Sequence, residues 1–396
     1  MKEGWEIKTL GEVCEVMNGG TPKTGVPMNW DGSHLWITPA EMGKRLTPYI
    51  SNTERKLTDF GLRDSSARML PPKSVILSSR APIGHLVINT EPMATNQGCK
   101  GLIPRSQLHY KYLYYYLLSI VDLLNSLGTG ATFKELSGGK LKEVTIPFSV
   151  LTEQLRIVAI LDEAFEGIAT AKAKAEKNLK NARQLFESHL NSVFSQRGEG
   201  WVEKTIEQIC SKITDGEHLR PKMTPNGIPF LSAKDVLDNN LVFTDSLFVS
   251  ETDAIKFRKR CNPERGDILI VSRGATVGRT CVVNTSKDFC LLGSVILLKV
   301  EKNYSSHFIA YALKSSALRN QLMTVSEAAA QPAIYLRDIK TLRIGSPSLI
   351  EQEAIVCHLD KFSAETQRLE SIYQKKIEAL DALKKSILQK AFSGKM

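Results

Sequence analysis

The feature that most constrains this chain is an internal duplication. The segment LTEQLRIVAILD at 151–162 returns as LIEQEAIVCHLD at 349–360, 198 residues later, with seven of twelve positions identical. Repetition in one chain indicates a structural unit that is used twice. The sequence therefore predicts two tandem repeats, roughly 1–197 and 198–396.

Two further pairs of segments support the duplication. GWEIKTLGEVC at 4–14 matches GWVEKTIEQIC at 200–210 at five of eleven positions. LFESHLNSVFS at 185–195 matches LKKSILQKAFS at 383–393 equally well. Between these segments the similarity is weaker. We therefore predict an α+β protein with mixed α/β segments at 1–150 and 198–347, each followed by a long helix, at 151–197 and 348–396.

Each long helix carries apolar residues at alternating steps of three and four. This is heptad spacing, which requires a partner helix along its length. About 43 residues at 1.5 Å each give a rod of roughly 60 Å, too long for one small domain to cover. Two interpretations stay open: the helices pair with each other, or each packs against a helix of another subunit. The predicted buried positions are Ile157, Leu161, Ala164, Ile168, Ala171, Ala175, Ala182 and Leu185 in the first helix, and Ile355, Leu359, Phe362, Leu369, Tyr373, Leu380, Leu383 and Ile387 in the second.

Charge favours a polyanionic partner. The chain has 52 Lys and Arg against 42 Asp and Glu, a net charge of +10. Nucleic acid is the commonest partner of such a surface, although basic enzymes and membrane-surface proteins share this balance.

Cysteine usage and apolar stretches predict a cytoplasmic protein. The seven cysteines are scattered and form no CxxC pair, which indicates reduced thiols without a disulfide framework or zinc cluster. The N-terminus lacks the apolar core of a signal peptide. The most apolar stretch, at 112–127, is short and contains Asp122, so we expect a buried helix and no membrane partner.

Two duplicated segments joined by paired helices predict a pseudo-two-fold arrangement, a dimer fused into one chain. Duplex DNA has a two-fold axis as well, so each segment could read one half-site at a separation fixed by the helices. Because the interiors of the two segments differ, the half-sites should differ. The expected target is bipartite and asymmetric, with an unread spacer.

Several motifs, in this order, resemble the specificity (S) subunits of type I restriction–modification systems. The resemblance covers essentially the whole chain. The helix openings that carry it are PFSVLTEQLRIVAILD and PSLIEQEAIVCHLD. The other motifs are NGGTPKTG at 18–25, WITPAEM at 36–42, ILSSRAPIG at 76–84, TNQGCKGLIP at 95–104 and ILIVSRGATVG at 268–278.

The resemblance implies a non-catalytic DNA-binding subunit. The α/β segments would be target recognition domains, and the helices an antiparallel coiled coil that sets the spacer and docks two methyltransferase (M) subunits. Restriction (R) subunits would join for ATP-dependent cleavage. S-adenosylmethionine for adenine N6 methylation, ATP and Mg would then bind to those partners, with no cofactor in this chain. In the second repeat, TDGEHLRPKM at 214–223 keeps only a Gly and basic groups of the first motif, and DFCLLGSVILLKV at 288–300 lacks the Asn-Gln pair.

Catalytic motifs are missing from the sequence. An adenine methyltransferase needs a Pro-Pro-aromatic loop, but LPPKS at 70–74 has Lys after its prolines. A P-loop needs Ser or Thr after its Lys, and SGGKLK at 137–142 has Leu there. We therefore predict that the chain is not an enzyme.

Candidate DNA-binding residues come from loops that combine Gly or Pro with basic, amide or hydroxyl side chains, since these groups contact phosphates and base edges. Any one exposed Lys or Arg is more often simply solvated. Arg80 and Arg273 stand in matched Ser-Arg loops after strand-like segments, which could equally be a shared structural loop. The candidates are Thr21, Lys23, Thr24, Ser79, Arg80, Asn96, Gln97, Lys100 and Lys134 in the first repeat, and His218, Arg220, Lys222, Ser272, Arg273, Thr276, Gln331 and Tyr335 in the second.

Other functions remain open at this point. A coiled-coil scaffold that only joins other proteins would not bind duplex DNA. A self-sufficient modification enzyme would bind S-adenosylmethionine. A specificity subunit of a related system could recruit its catalytic parts differently.

Overall fold

A computed structural model describes residues 4–45, 47–130, 134–196, 198–219, 221–326 and 333–393. Its contacts divide the chain into two compact units, unit 1 with Met1–Glu176 and Lys375–Met396, and unit 2 with Lys177–Gln374. Each unit thus takes one α/β segment and a part of both long helices. The four-part division of the sequence stays a prediction. No helix in the described part of the chain is long and apolar enough to span a membrane.

Among the described residues, the first repeat contains ten strands and seven α-helices. The strands are β1 Glu6–Thr9, β2 Cys14–Asn18, β3 Trp30–Ile37, β4 Tyr49–Ile50, β5 Arg55–Leu57, β6 Val75–Ser79, β7 Ile83–Asn89, β8 Met93–Thr95, β9 Cys99–Pro104 and β10 Thr145–Phe148. A five-stranded sheet has the order β2-β9-β6-β7-β4, a three-stranded sheet has the order β5-β3-β8, and β1 pairs with β10. The helices are α1 Leu10–Val13, α2 Pro39–Gly43, α3 Asp59–Arg63, α4 Tyr110–Ser119, α5 Val121–Leu127, α6 Gly138–Glu143 and α7 Leu151–Ser195.

The second repeat follows a similar order of elements, with one strand more and one α-helix fewer among the described residues. Its strands are β11 Val202–Thr205, β12 Cys210–Asp215, β13 Ile228–Leu231, β14 Val236–Leu237, β15 Asn240–Leu241, β16 Leu247–Val249, β17 Ile268–Val271, β18 Thr280–Val282, β19 Cys290–Leu291, β20 Val295–Val300 and β21 Arg343–Ser346. Its helices are α8 Ile206–Ile209, α9 Glu251–Arg260, α10 Ser306–Lys314, α11 Ser316–Ser326, α12 Leu336–Thr341 and α13 Leu349–Phe392. The sheets β12-β20-β17-β18, β16-β13-β19 and β11-β21 repeat the first arrangement, including its parallel pairing of β3 with β8 as β13 with β19. The predicted duplication and the α+β class are confirmed.

The central strands explain the apolar runs of the sequence. Every residue of β6 and of β17 is buried, because each strand lies between two others and is covered on both faces. Against the first sheet pack Tyr112, Leu113 and Leu117 of α4. The apolar stretch at 112–127 is buried as predicted in its first part, but Leu123 in its second part is exposed. The stretch forms two helices rather than one, because the backbone leaves the helical conformation at Ile120.

The repeated helix opening is explained by a buried glutamine. In unit 1, Gln154 Oε1 accepts from the backbone N–H of His109, which precedes α4, at 2.9 Å, and Gln154 Nε2 donates to the Ser149 carbonyl at 2.8 Å. In unit 2, Gln352 makes the same bonds to Ser305 N–H at 2.9 Å and to the Pro347 carbonyl at 2.9 Å. Each glutamine thereby satisfies an otherwise unpaired N–H at a helix start and attaches the long helix to its domain.

The aspartate that ends the repeated segment makes a second attachment. Tyr115 of α4 donates its hydroxyl to Asp162 Oδ1 at 2.5 Å, and Lys111 lies 2.6 Å from Oδ2. Tyr311 of α10 donates to Asp360 Oδ1 at 2.6 Å. Burial raises the pKa of both tyrosines, and the aspartate raises it further, so the phenols stay protonated and keep donating.

The long helices contact each other antiparallel inside each unit. In unit 1, Lys172 Nζ lies 2.7 Å from Asp381 Oδ1, and the Lys384 ammonium lies 4.9 Å from the centre of the Phe165 ring. In unit 2, Arg183 Nε lies 3.0 Å from Glu370 Oε2, and the Nε2 atoms of two histidines of these helices, at 189 and 358, are 2.9 Å apart. The intramolecular pairing is thus confirmed.

The predicted heptad positions are correct in part. Ile157, Leu161, Ile168, Ala175, Ala182 and Leu359 are buried as predicted. The prediction is wrong for Leu185, Leu369 and Leu383, which are exposed, whereas Thr366 and Leu388 are buried. The buried positions themselves keep seven-residue spacing, at Leu161, Ile168, Ala175 and Ala182 in α7 and at Leu359 and Thr366 in α13. The apolar pattern therefore identified the packed face of α7 well and that of α13 only in part.

We expect Gln154→Ala and Gln352→Ala each to lower the free energy of unfolding by roughly 1–3 kcal/mol, because each leaves a buried N–H and a buried carbonyl without a partner. Urea unfolding followed by circular dichroism measures this. The matched control is Gln184→Ala, an exposed glutamine of α7. Equal unfolding free energies for Gln154→Ala and Gln184→Ala would contradict the attachment role.

Candidate nucleic-acid interface

Three loops of the first repeat meet at one end of its main sheet. Strands β2 and β6 end where β9 begins, because both are antiparallel to β9. Gly19 N–H donates to the Cys99 carbonyl at 3.1 Å, and Gly20 N–H to the Thr95 carbonyl at 2.9 Å. A Cβ on Gly19 would lie 1.9 Å from the Asn96 oxygen, so only glycine permits this approach. We call residues 18–24, 79–82, 96–100 and 134–136 loop edge 1.

Side-chain hydrogen bonds fix the Thr21 and Asn96 loops of edge 1 to each other. Asn96 Nδ2 donates to Thr21 Oγ1 at 2.8 Å, and Asn96 Oδ1 accepts from Gly98 N–H at 2.8 Å. The Thr21 hydroxyl also bonds to Gln97 Oε1. Three sequence-predicted residues are therefore brought together, and the Asn96 amide acts inside the protein, where it positions the loops.

Arg80 and Lys100 converge on an acid that the sequence analysis missed. Arg80 Nη1 lies 3.9 Å from Glu135 Oε2, and Lys100 Nζ lies 3.7 Å from Glu135 Oε1. The Lys100 side chain is 7% exposed and that of Glu135 is 42% exposed. Glu135 directly follows the candidate Lys134, but a carboxylate is not among the cationic, amide and hydroxyl groups that typically contact DNA, so the sequence pattern did not indicate it.

The remaining candidates of edge 1 differ in exposure. Ser79 is fully buried. Its backbone N–H donates to the Gly98 carbonyl and its carbonyl accepts from the Leu136 N–H, so Ser79 belongs to the backbone hydrogen-bond framework rather than to the exposed surface. Its buried hydroxyl is less accessible to a ligand than the other candidates, and its assignment as a DNA contact stays a prediction. Lys23, Thr24 and Lys134 are exposed.

The second repeat builds the same backbone frame. Gly216 N–H donates to the Val295 carbonyl at 3.1 Å and Glu217 N–H to the Leu291 carbonyl at 2.8 Å, as Gly19 and Gly20 do in the first repeat. Ser272 occupies the place of Ser79, because its carbonyl accepts from Ile334 N–H at 2.9 Å as that of Ser79 does from Leu136. We call residues 214–219, 221–222, 272–279, 292–296 and 333–335 loop edge 2.

The side chains on this common frame differ. The Ser-Arg pair is kept, as Ser79-Arg80 and Ser272-Arg273. Five other positions change in character. By the matched backbone hydrogen bonds, Thr21 corresponds to His218, Asn96 to Leu292, Gln97 to Gly293, Lys100 to Ile296 and Glu135 to Ala333.

In edge 2, His218 is held in a charged cluster. His218 Nε2 lies 3.0 Å from Asp215 Oδ2 and 3.0 Å from Arg260 Nη2, while Arg260 also bonds to Asp215. Asp215 is buried, so these contacts compensate its charge. Arg260 and Arg258, which pairs with Asp288 at 2.9 Å, belong to the basic run 256–260 and are therefore engaged within the protein.

The other candidates of the second repeat differ in exposure. Lys222 and Arg273 are exposed and Thr276 is half-buried. Ser272 is buried like Ser79, and its assignment as a DNA contact likewise stays a prediction. Tyr335 is exposed, with the Arg337 guanidinium 5.2 Å from its ring centre. Arg220 and Gln331 lie outside the described residues.

The one thiol within edge 1 is not activated. Burial raises the pKa of Cys99 to about 12, against the opposing effect of Lys100 and Arg80. Among the described residues, no group of three or more His, Cys, Asp or Glu side chains could hold a metal ion. The arrangement offers hydrogen-bond donors and positive charge to a ligand.

Two copies of one α/β domain, each with a loop edge and a long helix, define a tandem-repeat protein. A family model described as the type I restriction modification DNA specificity domain matches residues 2–181 and again residues 198–379. The chain therefore belongs to the family of type I restriction–modification specificity subunits.

Known proteins are similar over all or part of the chain. The specificity subunit of the type I restriction enzyme MjaIX of Methanocaldococcus jannaschii is 28% identical over 99% of this chain and 93% of its own length. The EcoR124I/EcoR124II specificity subunit of Escherichia coli is 34% identical over 41% of each chain.

Solved structures show the same fold. A chain from work on complex assembly and conformational transition of the type I R-M system has a TM-score of 0.82, with 22% identity over 100% of this chain and 99% of that one. The HsdS subunit from Thermoanaerobacter tengcongensis has a TM-score of 0.63, with 21% identity over 100% of this chain and 98% of that one.

If edge 1 contacts phosphates through Lys23, Lys23→Ala will weaken duplex binding evenly across sequences and lower the slope of log K against log salt by about 1, because one fewer counterion is released. Fluorescence anisotropy at several salt concentrations measures both effects. Lys180→Ala, an exposed lysine of α7, is the control and should change neither. A loss confined to one DNA sequence would refute the phosphate role.

Proposed function

We propose that this specificity subunit reads a bipartite, asymmetric DNA target without catalysing a reaction itself. One block is read by loop edge 1 and the other by loop edge 2. The observation that carries this proposal is the common backbone frame with different side chains. A frame kept twice places reading groups in the same way, and five changed positions give the two edges different hydrogen-bonding and charge properties.

The long helices are proposed to set the spacer between the two blocks. Helix α7 runs for 45 residues and α13 for 44, each without interruption. In each unit the helices are braced against one another by an ion pair and attached to the domain by a buried glutamine. A stiff connection of this kind favours a fixed number of unread base pairs.

Partners complete the proposed activity. Two methyltransferase subunits would dock on the paired helices, and restriction subunits would join for ATP-dependent cleavage. S-adenosylmethionine, ATP and Mg would bind to those subunits. The net charge of +10 supports binding to DNA, and the family supports assembly with a modification enzyme.

The alternative of a coiled-coil scaffold is less well supported. A scaffold needs the helix pair alone, and it gives no reason for two loop edges with matched glycines and a shared Ser-Arg pair. It also predicts that the chain fails to shift duplex DNA at low salt, with or without its partners.

Genome-wide mapping of methylated adenines, in cells with and without this chain, tests the proposal. We expect a set of methylated sites that disappears with the chain and that shares two unlike blocks at a constant separation. The control is the same strain with the chain restored. Sites that persist without the chain, or a separation that varies freely between blocks, would refute the proposed function.

A further inference from the structure

Arg80 and Arg273 occupy the same place on the repeated frame. Arg80 follows β6 and forms an isolated antiparallel bridge with Glu135, while Arg273 follows β17 and forms the same bridge with Ala333. By position alone, the two arginines should act alike on DNA. Their surroundings are nevertheless different, and the difference bears on what each one can read.

The guanidinium of Arg80 is held on two sides. Glu135 Oε2 lies 3.9 Å from Nη1, and a Cβ added to Gly98 would come within 3.0 Å of Nε, so the Arg80 side chain passes directly over Gly98. Lys100 neutralises the other oxygen of the same carboxylate from 3.7 Å. The group of three charges keeps a net positive charge of one, which suits an approach to DNA.

The carboxylate that holds Arg80 is itself placed by the backbone. Glu135 N–H donates to the Thr129 carbonyl at 2.9 Å, and Thr129 N–H donates to the Glu135 carbonyl at 3.0 Å. The neighbouring Leu136 N–H donates to the Ser79 carbonyl at 2.9 Å. Glu135 is thus fixed relative to the strand end from which Arg80 projects.

Arg273 has no such support within the described residues. Ala333 stands where Glu135 stands, Ile296 where Lys100 stands, and Ser294 where Gly98 stands. No carboxylate in the described part of the chain lies within 4.0 Å of its guanidinium. Its side chain is exposed.

We propose that Glu135 is a positioning residue that makes Arg80 a reader of guanine in the first block, whereas Arg273 contacts phosphate in the second. The inference rests on the proposed function. A guanidinium has five N–H donors in one plane, so a carboxylate that engages one edge leaves the remaining donors oriented for the O6 and N7 acceptors of guanine. An arginine without that constraint follows the strongest negative charge, which is the phosphate backbone.

The test is selection of random-sequence duplexes by the full chain, together with the methyltransferase subunits it recruits. Wild type should select two blocks. Glu135→Ala should reduce the preference for guanine at one position of the first block by about tenfold or more, with the second block unchanged. The affinity of this variant for its best sequence should fall by a much smaller factor than its preference for guanine, because the substitution also removes a negative charge that faces DNA.

Three comparisons separate positioning from a structural effect. Arg80→Ala should relax the same position as Glu135→Ala, and the double variant should relax it no further. Arg273→Ala should weaken binding to all sequences and flatten the salt dependence without relaxing any position. Glu91→Ala, an exposed glutamate on the turn before β8, is the matched control and should change nothing.

The failures can be told apart. If wild type selects no pair of blocks, the proposed function fails. If it selects two blocks and Glu135→Ala keeps the guanine, or loses affinity evenly for all sequences with an unchanged melting temperature, the positioning role alone is overturned. An effect of Glu135→Ala that persists in the Arg80→Ala background would also overturn it.

Discussion

The buried amides of Gln154 and Gln352 are the interaction on which the rest of the structure depends. Each amide bonds to the start of a domain helix and to the turn before its own long helix. Because an amide can donate and accept at once, one side chain fixes both the position and the direction of a helix of more than forty residues. Without this joint, the loop edges would have no fixed relation to the helices that carry them.

The duplication separates what must be rigid from what must vary. Glycines at 19 and 216, the buried serines and the backbone hydrogen bonds recur, because they form the end of a sheet against which loops must pack closely. The residues that project from this frame have diverged. The first repeat has a neutral network around the Asn96 amide and a group of three charges around Glu135. The second repeat has a cluster of Asp215, Arg260 and His218 instead. The same fold can therefore present two chemically different surfaces.

The candidate site could be predicted only as far as its loops. The segments around Thr21, Arg80 and Asn96 were recognisable because glycine beside polar side chains is typical of loops that contact a ligand. The sequence did not show which of these side chains are exposed and which pair with another side chain. The burial of Ser79 and the carboxylate of Glu135 beside Arg80 depend on a contact between residues more than fifty positions apart, which no local pattern records.

The sequence by itself determined that the chain is a tandem repeat with two long helices that each need a partner helix, since identity at a nearly constant offset and apolar spacing are properties of the chain alone. The tertiary structure decided that the two helices pair with each other. Only the tertiary structure decided which helix positions are buried, because two faces of a helix can both keep seven-residue spacing and only one packs: Leu359 and Thr366 are buried, whereas Leu369 and Leu383 are exposed. It also decided which arginine has a carboxylate beside it. Strand pairing brings those groups together, and strand pairing joins residues that are far apart in the sequence.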